Sequence, residues 1–339
     1  MSITHQFFLM IAALCSISST SLTFRAASGA DYSPLTTSGK VSTETHSLVD
    51  TARSRTIPLR FYLPENIEPQ PVVLFSHGLG GSCDNNRYLG EHLAGRGYVC
   101  IFMQHPGSDE SVWKGRKPAE IMPAMQQAAN YENLKLRCED VKALVGALAQ
   151  WNKLAGHPLK GRMDLDRIGM SGHSFGAQTT QGVLGQGNAR VGNQFKVPEI
   201  TGGIAYSPSI PLAGSPQEAF RRVDRPLLLM TGTKDDSPVG GQTPESRRKV
   251  YPALPETIDR YELVLEGAEH SVFSEREPRI RTLRGTGRNP NHHKVILSLT
   301  TAFWDYYLRD DDQAKKWLQG NGAKAVLEQA DQWQFATRN

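Results

Sequence analysis

Runs of consecutive apolar residues recur along the chain, separated by stretches in which apolar residues fall three or four apart. Residues 72–75 (Val-Val-Leu-Phe), 98–103, 168–170 and 226–230 are such runs, the mark of strands buried on both faces. Residues 203–206 and 260–265 read as further short strands. Residues 41–48 and 58–63 alternate, which predicts two half-buried antiparallel strands. Helical spacing appears over 88–96, stopped by Gly97, and over 134–151, where Val141, Leu144, Val145 and Leu148 share one face. It returns after residue 174, over 295–308, and in a final helix expected over 323–335. Residues 108–131 and 187–198 have no clear period and read as irregular. Strand and helix thus alternate after two initial strands, which predicts an α/β protein: a mostly parallel sheet with helices on both faces. The stretch around 108–131 is expected to form a small cap insertion.

Composition narrows the class. The chain has 339 residues, 39% hydrophobic and 21% charged, ordinary for a globular protein with a large core. Its net charge is +4 and no Lys/Arg run suggests a nucleic-acid groove, so no nucleic-acid partner is expected. Residues 7–17 form an apolar segment followed by Ser28-Gly29-Ala30, a small-x-small cleavage site. The expectation is a signal peptide over 1–30, an exported product (periplasmic or secreted), and one domain over 31–339. The apolar segment is too short to span a bilayer well, so no integral span is expected once it is removed. Of four cysteines, Cys15 leaves with the signal. Cys83, Cys100 and Cys138 allow at most one disulfide, Cys83 with Cys138 being the favoured pair. With no CxxC and no His/Cys cluster at zinc spacing, no metal or other cofactor is expected.

The chemistry centres on Gly172-His173-Ser174-Phe175-Gly176, a G-x-S-x-G between a short strand and a helical stretch. So tight a turn leaves no room for side chains two residues either side of the serine. A serine hydroxyl needs a base to take its proton and a group to orient that base. Asp235 follows the 226–230 strand and His270 follows the 260–265 strand, in the order Ser…Asp…His. Asp236 is the alternative acid. Backbone N–H groups of Leu79 and Phe175 are the expected oxyanion donors, with Gly78, Gly80 and Gly81 letting the backbone approach substrate. His77, His105 and Trp113 are candidate substrate contacts, and Met122, Met125 and Phe195 candidate acyl contacts. His173 reads as packing, and His292 and His293 as exposed. Gly78, His105, Ser174, Asp235 and His270 all fall at carboxyl ends of strands, where ligands bind in such sheets.

These residues resemble the serine α/β-hydrolases. Ser76-His77-Gly78-Leu79-Gly80-Gly81, the GHSFG pentapeptide and the strand ending at His105 are most similar to the branch that joins platelet-activating factor acetylhydrolases with predicted dienelactone hydrolases, over about residues 55–308. The resemblance implies the α/β-hydrolase fold and an esterase without a metal requirement. Two positions depart from it. The acetylhydrolase acid follows the strand after the elbow helix, where this chain reads Ala205-Tyr206-Ser207-Pro208. Dienelactone hydrolases use a cysteine nucleophile, where this chain has Ser174. The reading is an exported serine hydrolase of small or medium acyl esters. Alternatives are a polyester depolymerase or lipase on the same triad, transfer of the acyl group to an acceptor other than water, and a non-catalytic binding protein on a hydrolase scaffold.

Overall fold

In the computed structural model the described residues are 32–187, 192–211, 213–274 and 289–338. They belong to one compact unit, Tyr32–Asn339. The expected signal peptide lies outside the described residues.

The alternating segments at the start pair as an antiparallel hairpin, β1 (Val41–Asp50) with β2 (Arg55–Pro64). The four continuous apolar runs and the two further short strands become β3 (Gln70–Ser76), β4 (Val99–Met103), β5 (Met163–His173), β6 (Ile200–Tyr206), β7 (Leu227–Lys234) and β8 (Arg260–Glu269). With β9 (Gln332–Ala336) they form one sheet in the order β1-β2-β4-β3-β5-β6-β7-β8-β9. The pairs from β4 to β8 are all parallel, and only the outer pairs run antiparallel.

Helices cover both faces. They are α1 (Arg87–Gly95), α2 (Pro118–Ala128), α3 (Tyr131–Trp151), α4 (Phe175–Val183), α5 (Pro216–Phe220), α6 (Pro244–Arg248), α7 (Val250–Ala253), α8 (Pro290–Arg309), α9 (Asp312–Leu318) and α10 (Asn321–Ala325). Side chains alternate across a strand, so each central strand feeds two cores. Val72 and Leu74 pack with Val141, Leu144 and Leu148 of α3. Val73 and Phe75 face the other way, into the core that holds Leu89 and Leu93 of α1 and Leu299 and Phe303 of α8.

Four expectations need correction. Residues 108–131 are not irregular: a 3-10 turn at Glu110–Val112 leads into α2. Pro118 at its first position and the Glu120 carboxylate, which accepts from the Lys117 N–H at 3.2 Å, start this helix. Only Ala128 of α2 is buried, so it has no core-facing stripe for a periodicity search to find. The final helix over 323–335 is instead α10 followed by β9, antiparallel to β8. The alternation in Gln332-Trp333-Gln334-Phe335 was the signal: Trp333 and Phe335 share a face and each stacks on Tyr261 at 5.8 Å. Cys83, Cys100 and Cys138 are all free and buried. The favoured pair cannot bridge, because Cys138 lies in the core on one face of the sheet and Cys83 in the core on the other. Finally, His292 is buried, not exposed, with Nε2 3.1 Å from the Glu266 carbonyl, while His293 stacks on Tyr88.

Among the described residues, no helix is long and apolar enough to cross a membrane.

Candidate active site

The site begins where β5 turns sharply into α4. Ser174, at the turn, has φ 58° and ψ −113°, a region that side chains with a Cβ rarely occupy. The surroundings over-determine it. Its N–H donates to the Tyr206 carbonyl at 2.8 Å. A Cβ at Gly172 would collide with the backbone of Gly176, and one at Gly176 with the carbonyl of Ser76. Both glycines are therefore required by the close passage of β3, β5 and α4.

His270 and Asp235 converge on this serine from two other strand ends. His270 opens the 3-10 turn after β8, and its Nε2 lies 2.9 Å from Ser174 Oγ. Its Nδ1 lies 2.6 Å from Asp235 Oδ1. Asp235 is wholly buried just past β7, and its other oxygen accepts from Thr231 Oγ1 at 2.9 Å. Asp236 is exposed and makes no such approach. A neutral imidazole held this way has Nδ1 protonated toward the carboxylate and Nε2 free to take the hydroxyl proton. His173, expected to pack, does so against His270, with ring centroids 4.6 Å apart.

Arg247 of α6 also reaches the acid. Its Nε donates to the Asp235 carbonyl at 2.8 Å and lies 3.2 Å from Oδ1. Its Nη1 donates to the carbonyls of Ser207 and Pro208, each at 2.9 Å, and Nη2 stands 3.3 Å from His270 Nδ1. Burial pushes this guanidinium below the usual arginine range, against the opposing pull of Asp235 and Asp236. The end of β6, where the acetylhydrolase pattern has its acid, is thus tied by Arg247 to the acid at the end of β7. Nothing in the sequence singled out Arg247, because a charged residue in a short polar helix normally reads as surface.

The loop after β3 forms the facing wall. Gly78 abuts the serine: a Cβ there would lie 3.5 Å from Ser174 Cβ. Leu79 and Phe175 both border the cavity into which Ser174 opens, and so are brought together. Trp113 braces this loop from behind, its Nε1 donating to the Gly80 carbonyl at 2.7 Å. The Gly80 N–H donates to the Ser108 carbonyl at 2.9 Å.

His77 and His105 lie behind the same loop and are wholly buried. His77 Nε2 accepts from the His105 backbone N–H at 3.0 Å, so its Nδ1 donates to the Gly78 carbonyl at 2.6 Å. His105 Nε2 is 2.9 Å from Ser76 Oγ, and its Nδ1 is 3.0 Å from Asp140 Oδ2. Arg137, also wholly buried, donates to Ser76 Oγ, Ser108 Oγ, Thr179 Oγ1 and the His77 carbonyl, and lies 4.8 Å from the Phe175 ring centroid. Burial, helped by the Arg137 charge, pushes His105 down to about 4, and burial brings Arg137 down to about 9. Burial alone would raise the Asp140 carboxyl, but its bonds with His105 and Arg55 hold it below the ordinary range. None of His77, His105 and Trp113 borders the cavity. The three residues expected as substrate contacts stand behind the loop instead: His77 and Trp113 bond to its carbonyls, and the His105 ring bonds to Ser76 and Asp140.

The cavity in front of Ser174 measures about 1070 Å³ and also admits Met125 and Phe195, two of the expected acyl contacts. Among the described residues, no three His, Cys, Asp or Glu stand close enough to hold a metal ion.

The sheet order, with its crossover at β3–β4 and a strained serine after β5, is consistent with the α/β-hydrolase fold. No family model matches the chain. In an alignment of 235 positions that covers 61% of its length, it is 24% identical to the platelet-activating factor acetylhydrolase of Canis lupus familiaris. The alignment covers 49% of the dog protein, so the chain spans about half the length of the curated relative it matches.

Proposed function

We propose that the chain is a serine hydrolase that cleaves carboxylic esters through an acyl-enzyme on Ser174. The observation that carries this reading is the unbroken hydrogen-bonded line from Asp235 through His270 to Ser174 Oγ, ending at a large cavity. Similarity to an acetylhydrolase supports the same reaction class.

His270 Nε2 takes the Ser174 proton as Oγ attacks the ester carbonyl carbon. The carbonyl oxygen becomes an oxyanion, held by the N–H groups of Leu79 and Phe175, the latter at the N-terminus of α4. Asp235, bonded to Nδ1, orients the ring and stabilises the imidazolium. The carbon–oxygen bond to the alcohol breaks as His270 returns the proton to the leaving oxygen. Water, giving a proton to the same nitrogen, then attacks the acyl-serine and releases the acid and Oγ–H. The intact Ser–His–Asp line favours this over a non-catalytic scaffold. We also propose export, supported by the apolar segment and small-x-small site of the N-terminal sequence.

The test is covalent. A fluorophosphonate added to the purified protein should leave its adduct on the peptide containing Ser174, with turnover of p-nitrophenyl esters lost in parallel. A folded protein that neither labels nor turns over any ester of the series, from acetate to laurate, would sink the reading. Export is checked separately, by the N-terminal residue of protein recovered outside the cytoplasm.

A further inference from the structure

The cavity has two walls of opposite character. Over α3 and α4 it is bordered mainly by Met125, Tyr131, Leu134, Phe195, Ile210 and Pro211, with Asn130, Gln178 and Gln186 as polar members. This wall is built, not incidental. The Tyr131 and Phe195 rings lie 6.1 Å apart, and Gln194 Nε2 donates to the Tyr131 hydroxyl at 3.2 Å. Gln181 of α4 donates to the Ser209 carbonyl at 2.8 Å and accepts from its N–H at 3.1 Å, which seats residues 209–210 on the elbow helix. The opposite wall is mainly polar: Asn85, Asn86, Ser271 and Ser274, with Lys234 and Glu269 paired in register at the ends of β7 and β8, and Pro238 and Val239 as its apolar members. Asn86 Nδ2 donates to the Phe273 carbonyl at 2.7 Å, so this wall is fastened to the turn that carries His270.

The chemistry of the reaction then says which half of an ester goes where. The leaving oxygen must receive its proton from His270 Nε2, so the alcohol departs on the side of the His270 turn. The oxyanion points to the backbone of Leu79 and Phe175. The remaining substituent of the carbonyl carbon, the acyl chain, is directed over α4. We infer that the site selects esters with an extended apolar acyl chain and a compact, polar, hydrogen-bonding alcohol. This rests on the ester-hydrolase reading above. The cavity, about 1070 Å³, lies at the upper end of the size that encloses a drug-sized ligand, far beyond what an acetyl group fills.

Isomeric esters of reversed polarity test it. Glyceryl monodecanoate places the apolar chain on the acyl side, and decyl glycerate places it on the alcohol side. With the purified full chain, kcat/KM should favour the first by at least about 30-fold. It should also rise roughly three- to fourfold per acyl methylene between butanoate and decanoate, the value of one methylene taken out of water. Leu134→Asp, which puts a charge in the apolar wall, should lower the decanoate-to-acetate ratio of kcat/KM at least about tenfold. Equal or reversed preference between the two isomers, or an unchanged ratio in the variant, overturns the assignment. Fluorophosphonate labelling of the same preparation separates the failures. An adduct on Ser174 with the wrong preference sinks only the assignment of the walls. No adduct and no turnover of any ester sinks the hydrolase reading and this one with it.

Discussion

Two serine–histidine–aspartate lines run through this molecule at neighbouring strand ends. In one, Ser174 Oγ, His270 and Asp235 are joined at 2.9 and 2.6 Å. In the other, Ser76 Oγ, His105 and Asp140 are joined at 2.9 and 3.0 Å. Residue types, atoms and order of bonding are the same, and the surroundings differ in every respect that matters to a nucleophile. Ser174 sits at a positive φ on a turn that points its hydroxyl into a cavity. Ser76 ends an ordinary strand, is wholly buried, and already accepts from Arg137. Asp235 faces one arginine, whereas Asp140 is clasped by Arg53 and Arg55. The hydrogen-bonded line is therefore a general way to satisfy buried polar groups. Access, backbone strain and nearby N–H donors are what favour Ser174 over Ser76 as the proposed nucleophile. The second line has its own use: it holds the β3 end and the loop that faces Ser174.

The largest contrast between the two lines should appear on removing the hydroxyls. Ser174→Ala is expected to cost about 10⁴-fold or more in kcat/KM and to abolish fluorophosphonate labelling. Ser76→Ala should label normally and stay within several-fold of the parent, losing about 1 kcal/mol of stability by denaturant titration. The reverse pattern would mean the wrong line has been read as the site.

Next in size is the buried cation. Arg137→Met leaves the His77 carbonyl and Ser76 without their donor, and should cost about 3–5 kcal/mol in a urea melt. A loss under about 1 kcal/mol would show that the buried line stands without it.

Acid sharpens the comparison further. His105 is held neutral in the fold, down at about 4, against an ordinary 6.5 when unfolded. The unfolded chain therefore binds the extra proton between pH 6.5 and 4. Stability from this group is complete above pH 6.5 and falls away toward pH 4, by an amount on the order of 3 kcal/mol. His105→Gln should flatten that part of the stability–pH curve; an unchanged slope would assign the acid sensitivity elsewhere.

The smallest effect concerns the arginine at the open line. Arg247→Met should lower kcat/KM about tenfold, by loosening the loop that carries Asp235. An unchanged kcat/KM would show that the Asp235 loop holds its place without Arg247.

What could be read from residues alone was whatever is written locally. Continuous apolar runs mark β3 to β7 because a strand covered on both faces needs no polar positions. The spacing around Ser174 marks the elbow because two glycines are demanded within five residues. The sequence order Ser174, Asp235, His270 follows once each is placed beyond a strand end. Helix α2 and strand β9 escaped, one for want of a buried stripe and the other because a five-residue alternation is brief beside the helical stretch before it. The tertiary structure alone decided the rest. It made His77 and His105 internal braces, carried Arg247 from a polar helix to the acid, and built the second line from Ser76, His105 and Asp140. The physical reason is common to all three. An apolar residue is buried wherever the chain folds, so its fate shows in its own pattern. A polar residue is buried only if a partner arrives to satisfy it, and here those partners come from segments far apart in the chain, as Arg55 does for Asp140 across 85 residues.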